Sequence, residues 1–174
     1  MELSIAIRLI EKGIPKSNSP QYWVDLGAGD GFFTRALGSV LPSNSSILAI
    51  DQNANALKSI KWDFKSVSLQ TLSGNFVSMD LDGNIDGILM ANALHYVSAQ
   101  TDFLLALRIK LSPIGRLVIV EYERTKSNAW VPYPIGFRKL LEAGEATGFT
   151  SIIKVEEAPS TYDSATIYSA ILSL

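Results

Sequence analysis

No cysteine occurs among the 174 residues, and only one histidine does. The missing thiol excludes disulfides, thiolate metal sites, iron–sulfur clusters and any cysteine nucleophile. Charge is sparse as well: 15 basic and 17 acidic residues leave a net charge of −2, with the lysines and arginines scattered along the chain. A protein that clamps a phosphate backbone needs a basic stripe, and this sequence has none. No apolar run approaches the ~20 residues that span a bilayer. The opening MELSIAIRLIEKGIP carries Glu2 and no basic n-region. It therefore reads as a helix rather than a secretory leader, and the expected location is cytoplasmic.

What is present is hydrophobic patterning. Hydrophobic residues make up 47% against 18% charged, enough to cover a sheet on both faces in one domain of residues 1–174. Leu3, Ala6, Ile7 and Ile10 predict a helix over residues 1–13, and the core should run from 21 to 174. Strands are expected at 21–26, 46–51, 66–72, 85–92 and 116–122. Helices should alternate with them at 32–41, 53–62 and around Phe103 to Leu111, with SPIG (112–115) as a turn. Such β-α-β alternation with strands apolar on both faces indicates a parallel sheet between helical layers. After a long loop (123–133), a helix is expected at 134–147, followed by strands at 150–157 and 166–172. The short connection between those two strands lacks room for a crossover helix of about 12 residues, which predicts an antiparallel pair.

The densest chemistry lies in VDLGAGDG (24–31), where Asp25 ends an apolar strand and Gly27, Gly29 and Gly31 follow at every second position. Glycine permits the sharp turn and lets a ligand approach bare main chain. A dinucleotide fingerprint requires glycine at the sixth position of GxGxxG, which here is Phe32. An acid ahead of the turn suits a cationic ligand better than a pyrophosphate, and S-adenosylmethionine carries a sulfonium and an amino group. About 20 residues after Gly31, Asp51 ends the second strand, where a carboxylate can take both ribose hydroxyls.

With these features and the segment ANALHY (91–96), the chain resembles the class I S-adenosylmethionine-dependent methyltransferases from about residue 20 to its end. The resemblance implies a Rossmann-like, seven-stranded, mostly parallel sheet of order 3-2-1-4-5-7-6, with strand 7 antiparallel and helices on both faces. It implies S-adenosylmethionine as cofactor, with Asp25 at the methionyl amino group and Gly27 and Gly29 along the methionyl part and sulfonium. Asp51 would sit at the ribose, Gln52 at the adenine edge, and Asn92 would also contact the cofactor. Gly31 is assigned to helix packing. The family usually places an aspartate after strand three to meet the adenine amino group. Here Asn75 stands there, followed by Phe76, and Asp80 competes for the role. The asparagine carbonyl can still accept that hydrogen bond.

Absences narrow the acceptor. The Asn/Asp-Pro-Pro-Tyr/Phe tetrapeptide of amino-group methylation is missing, as is the aspartate that a ribose 2′-O methyltransferase places after strand four. A small-molecule acceptor is expected rather than nucleic acid. His95 is the candidate general base, since an ordinary histidine titrates near neutral pH. Lining the pocket and a purely structural role are its alternatives. Tyr96, Glu121, Trp130 and Tyr133 are candidates for the acceptor site. Glu121 would receive a cationic or hydroxylated group, or pair with Arg124; the two rings would wall the methyl, or pack as a stiff lid. Asp86 opens a strand near Asp80 and Asp82, so no metal site is expected. Two rival functions remain at this level: an inactive methyltransferase-like binding module and a nicotinamide-dependent oxidoreductase.

Overall fold

The computed structural model describes residues 1–160 and 166–174. Seven strands form one sheet: β1 (Tyr22–Leu26), β2 (Ser45–Asp51), β3 (Val67–Ser73), β4 (Ile85–Ala91), β5 (Leu111–Tyr122), β6 (Ser151–Pro159) and β7 (Thr166–Ser173). Their spatial order is β3-β2-β1-β4-β5-β7-β6, as expected. The first five strands run parallel, and β7 is antiparallel to both β5 and β6. The end of the β6–β7 connection lies outside the described residues. Helices α1 (Leu3–Ile10), α2 (Phe32–Val40), α3 (Ala54–Lys58), α4 (Gln100–Arg108) and α5 (Phe137–Ala146) flank the sheet.

Alternation along β1 shows how both faces close. Trp23 packs with Leu9, Ile10, Ala36 and Leu37 of α1 and α2. Val24 and Leu26 pack with Leu104, Leu107 and Leu140 of α4 and α5 on the other side. Each such buried side chain contributes roughly 1.5–3 kcal/mol of transfer free energy. Gly87 on β4 makes room for the indole of Trp23, since a Cβ there would lie 2.3 Å from its ring. No helix among the described residues is long and apolar enough to cross a membrane.

Four boundaries differ from the sequence expectation; the first is α4, which ends at Arg108, so that Leu111, expected on its face, begins β5. Helix α3 ends at Lys58 instead of continuing to residue 62. The Ser59 hydroxyl bonds back to the Ala56 carbonyl, and Trp62 leaves the helix to pack over Gly38, where a Cβ would stand 2.4 Å from the indole. The SPIG segment is no turn but part of β5, taken up as an irregularity between the pairs Ile85↔Leu111 and Gly87↔Arg116. Ser112 reaches the Asp86 carboxylate at 3.3 Å, and that carboxylate also accepts the Tyr22 N–H at 2.9 Å. Helix α5 starts at Phe137, not at 134. Ile135 is buried, its carbonyl accepting the Tyr168 hydroxyl at 2.7 Å, while Glu123 accepts the Phe137 N–H at 3.0 Å.

Candidate active site

The carboxyl ends of β1, β2, β4 and β5 open on one side of the sheet. Order reverses between β1 and β4, the place where open α/β sheets hold ligands. Three contiguous cavities occupy that edge. The first, about 390 Å³, is bordered by Asp25, Gly27, Ala28, Asp30, Phe32, Phe33 and Asn92, with Met1 and Ile167. The second, about 480 Å³, lies over Gly27, Asp51, Gln52, Asn75, Phe76 and Asn92. The third, about 500 Å³, is formed by Asn92, His95, Tyr96, Tyr122, Arg124, Asn128, Trp130 and Val131. Asn92 borders all three.

The glycine turn is built from three left-handed residues, with φ of +81° at Gly27, +56° at Gly29 and +80° at Gly31. The three do different work. A Cβ on Gly27 would meet Ala93 at 2.6 Å, and one on Gly31 would meet Ile60 at 2.7 Å. These two serve the close approach of β1 to the turn after β4 and of α2 to the segment after α3. A Cβ on Gly29 would meet nothing within 4 Å. Its bare main chain faces the open side of the turn.

Asp51 fixes this turn by accepting the Gly29 N–H at 2.8 Å on one oxygen and the Asn53 N–H at 2.8 Å on the other. Asp25 is 1% exposed, and the hydroxyl of Thr34 on α2 donates to it at 2.6 Å. Burial pushes its carboxyl up to about 7; the Thr34 hydrogen bond opposes the shift and the Asp51 charge adds to it. Asn75 borders the second cavity, its side-chain oxygen accepting the Val77 N–H at 3.0 Å. Asp80 is instead drawn away, paired with Lys110 at 2.6 Å. Phe76 is buried against Phe103, ring centroids 5.8 Å apart.

Across the crevice from the glycine turn, β4 ends at Ala91 and the chain turns through Asn92 at φ +52°. Its side-chain oxygen is buried without a hydrogen-bond partner among the described residues. A single 3-10 turn, Leu94–Tyr96, then presents His95 to Glu121 near the end of β5. Glu121 accepts the His95 backbone N–H at 3.1 Å and faces His95 Nδ1 at 2.8 Å. Both side chains are almost wholly buried. Glu121 therefore pairs with the histidine, whereas sequence reading had it meeting a substrate group or Arg124.

The loop after β5 is stapled to the same turn. The Tyr133 N–H donates to the His95 carbonyl at 3.0 Å, and the Gln100 amide bridges the Leu94 and Tyr133 carbonyls. These bonds fix the Tyr133 main chain, and the residue does not border the cavity with Trp130, contrary to expectation. Asn128 accepts the N–H groups of Trp130 and Val131, which leaves Trp130 78% exposed at the cavity edge. Sequence reasoning missed Tyr122, Asn128 and Val131, which no motif marks. Asn128 carried one available signal, an asparagine three residues before a buried valine.

Tyr122 and Lys126 have the Tyr-x-x-x-Lys spacing of a reductase pair, but they do not share a helix face. Tyr122 ends β5 and the Lys126 carbonyl accepts the Arg124 side chain in the loop. No cluster of three or more metal-ligating side chains occurs among the described residues.

A glycine turn flanked by two acidic strand tips, beside a topological switch point, is a Rossmann-like arrangement suited to a nucleoside-bearing ligand. Residues 24–119, more than half of the chain, match the family described as methyltransferase domain. The chain belongs to this family of S-adenosylmethionine-dependent methyltransferases. No curated protein sequence matches it significantly. Among solved structures, the YcgJ protein of Bacillus subtilis superposes with a TM-score of 0.75 at 12% identity, covering 98% of each chain. A SAM-dependent methyltransferase from Aquifex aeolicus matches at TM-score 0.67 and 17% identity, over 99% of this chain and 98% of that one. Phosphoethanolamine N-methyltransferase 2 of Haemonchus contortus gives TM-score 0.77 at 12% identity, over 98% of this chain and 52% of that one. At these identities the likeness is one of fold.

Proposed function

We propose that this chain methylates a small organic molecule, with the cofactor in the first two cavities and the acceptor in the third. The carrying observation is the third cavity itself. It is concave, about 500 Å³, walled by side chains of one chain, and meets the cofactor side at Asn92. That volume suits a small ligand, and the near-neutral charge of the chain offers nucleic acid no basic surface.

The residues suit S-adenosylmethionine on three counts. Two carboxylates, Asp25 and Asp51, face a ligand with two positive groups. Beside Gly29 nothing lies within 4 Å of where a Cβ would stand, so a ligand has room to approach the turn there. The orphaned oxygen of Asn92 awaits a donor. In this reading Asp25 holds the methionyl amino group, while Gly27 and Gly29 border the methionyl part. Asp51 keeps lone pairs for the ribose hydroxyls beyond the two N–H groups it accepts. Gln52, Asn75 and Phe76 border the adenine. Bound there, the cofactor supplies a methyl group already activated on a sulfonium. The chain's task is then to align an acceptor atom within about 3–3.5 Å of that carbon and to exclude water. His95 and Tyr96 face the acceptor directly, Trp130 covers the opening, and Glu121 and Tyr133 hold His95 from behind. Helix α1 packs on α2 and along β6, which supports one domain over residues 1–174.

Calorimetry with S-adenosylmethionine tests the assignment. Asp51→Ala is expected to weaken binding by about 1–3 kcal/mol, the scale of charge-assisted hydrogen bonds. An unchanged dissociation constant removes Asp51 from the site. Binding without methyl transfer across a broad acceptor panel favours a binding module instead.

A further inference from the structure

We propose that β3 is the contact strand of a symmetric dimer, pairing antiparallel with β3 of a second copy so that two sheets become one. β3 stands last in the strand order and pairs with β2 alone. The direction of its backbone groups follows from two hydrogen bonds. The Ser66 carbonyl accepts the Asn44 N–H at 2.6 Å, and the Gly74 N–H donates to the Asp51 carbonyl at 3.0 Å. In a parallel ladder both backbone groups of a residue point to the same side, and successive residues alternate. Even-numbered residues therefore face β2, while the N–H and C=O groups of Val67, Leu69, Thr71 and Ser73 face outward. The Val67 carbonyl is taken by the Trp62 indole N–H at 2.9 Å. Among the described residues, no hydrogen bond reaches the outward groups of Leu69, Thr71 and Ser73.

The opposite edge of the sheet shows a strand that is protected. β6 shifts register between Lys154 and Glu156, ends in Pro159 and carries Lys154, Glu156 and Glu157. Lys12 Nζ donates to the Val155 carbonyl at 3.0 Å, and Arg8 and Lys12 both pair with Glu156. Bulges, proline, charge and covering groups are the devices that keep an edge from adding another strand. β3 has none of the first three. Its sequence VSLQTLS contains neither charge nor proline, and its register to β2 runs unbroken from Val67 to Ser73. Cover is thin as well. Every other pair of consecutive parallel strands is joined through a helix, whereas the connection from β3 to β4 holds none. Leu72 stands 43% exposed beside it.

A second copy of this chain fits the edge because the charges beside β3 are self-complementary. The segment entering it, residues 58–65, carries Lys58, Lys61 and Lys65 against Asp63 alone. The segment leaving it, residues 74–84, carries Asp80 and Asp82 and no basic residue; Asp80 pairs with Lys110 of its own chain. An antiparallel two-fold brings the basic entry of each copy beside the acidic exit of the other, whereas a parallel pairing would set lysines against lysines. With Val67 capped, the usable groups centre on Thr71. Thr71 then exchanges both backbone hydrogen bonds with Thr71 of the second copy, and Leu69 does the same with Ser73 of the second copy. Threonines facing each other across a strand pair are a favourable combination. An interface built on one strand is small, so the dimer should exchange with monomer as concentration falls.

Sedimentation velocity over a dilution series tests the association. A species of twice the 18.9 kDa chain mass is expected at high concentration, giving way to monomer on dilution. Amide hydrogen exchange, read residue by residue, identifies the surface. In the dimer the amides of Leu69, Thr71 and Ser73 should be protected. On dilution they should exchange faster, while those of Gln70 and Leu72, bonded to β2, do not change. A monomer at every soluble concentration overturns the inference, and so does a dimer in which those three amides stay unprotected.

Thr71→Lys supplies the second arm. The Thr71 side chain is exposed and its N–H takes no part in the pairing with β2, so the fold should persist by circular dichroism. Across the two-fold the substitution sets like charges directly opposite each other. It should leave a monomer at concentrations where the unsubstituted chain is fully dimeric, and Thr71→Ser should keep the dimer. A Thr71→Lys chain that dimerises as tightly as its parent overturns the inference. Should the lysine unfold the chain, the exchange pattern of the unsubstituted protein still decides. Neither arm requires cofactor or acceptor, so its failure leaves the methyl-transfer reading untouched.

Discussion

The two halves of the crevice are built by opposite strategies. On the β1–β2 side, main chain does the work: three left-handed glycines, a turn held by Asp51, and a carboxylate buried behind it. On the β4–β5 side, side chains do it, with Glu121, His95, Tyr122 and Trp130 drawn from a strand end, a short helical turn and a loop. A backbone-built site fixes one ligand shape rigidly and recurs on many chains. A side-chain-built site on loops changes residue by residue, so specificity resides there. If the proposed placement holds, the β1–β2 half should tolerate little substitution, and the β4–β5 half much more.

The sharpest way to break that contrast lies inside the glycine turn. Gly31→Ala places a Cβ at 2.7 Å from Ile60 on a backbone with φ +80°. The left-handed strain and the overpacking together should destabilise the fold by roughly 2–4 kcal/mol in urea unfolding. Gly29→Ala meets no neighbour and should cost only about 1 kcal/mol of stability from its positive φ. Its cofactor affinity should fall further than that of Gly31→Ala measured in the folded fraction. If the two substitutions act alike on both readouts, the turn has no separate packing and ligand-facing glycines.

The same contrast explains what the sequence reveals. The glycine turn was legible because VDLGAGDG is contiguous and Asp51 follows at a fixed interval on the next strand. Even the packing role of Gly31 could be read, since it opens a helix. The pairing of His95 with Glu121 was not legible because the two are separated by 26 positions and meet only when β4 and β5 lie side by side. An aromatic-rich loop likewise does not announce which ring turns inward. Hydrogen bonds to the His95 carbonyl and from Gln100 set the path of Tyr133, and those partners lie over 30 residues away in sequence. Where the fold departed from expectation, a tertiary contact overrode a local preference, as Trp62 over Gly38 ended α3 and pairing with β4 drew SPIG into β5.

Asp25 offers a test of intermediate size. Its carboxyl is pushed up to about 7 against an ordinary value of 3.8. The folded state therefore holds a proton that the unfolded chain has lost. The stability this group contributes is complete below the ordinary value and disappears as pH rises through about 7. A cationic ligand favours the ionised form, so binding should release a proton. Affinity for S-adenosylmethionine should rise by about tenfold between roughly pH 6 and pH 8, with an observed enthalpy that depends on the buffer. Asp25→Asn should bind more weakly at the upper end and lose the pH dependence. A flat profile in the wild-type protein would put Asp25 outside the ligand's electrostatic reach.

The smallest effect is expected at the rim of the acceptor half. Trp130 is 78% exposed, and the turn beneath it is closed by Asn128 and the buried Val131 rather than by the indole. Trp130→Ala should accordingly change unfolding free energy by no more than about 0.5 kcal/mol. Loss of a stacking surface over the cavity should weaken the acceptor by about 1 kcal/mol, roughly fivefold in KM, with cofactor affinity untouched. That pattern, a KM effect free of any stability cost, is the mirror image of Gly31→Ala. Should Trp130→Ala instead lower stability and leave KM alone, the loop is a packed strap over the fold, and the acceptor enters from another side.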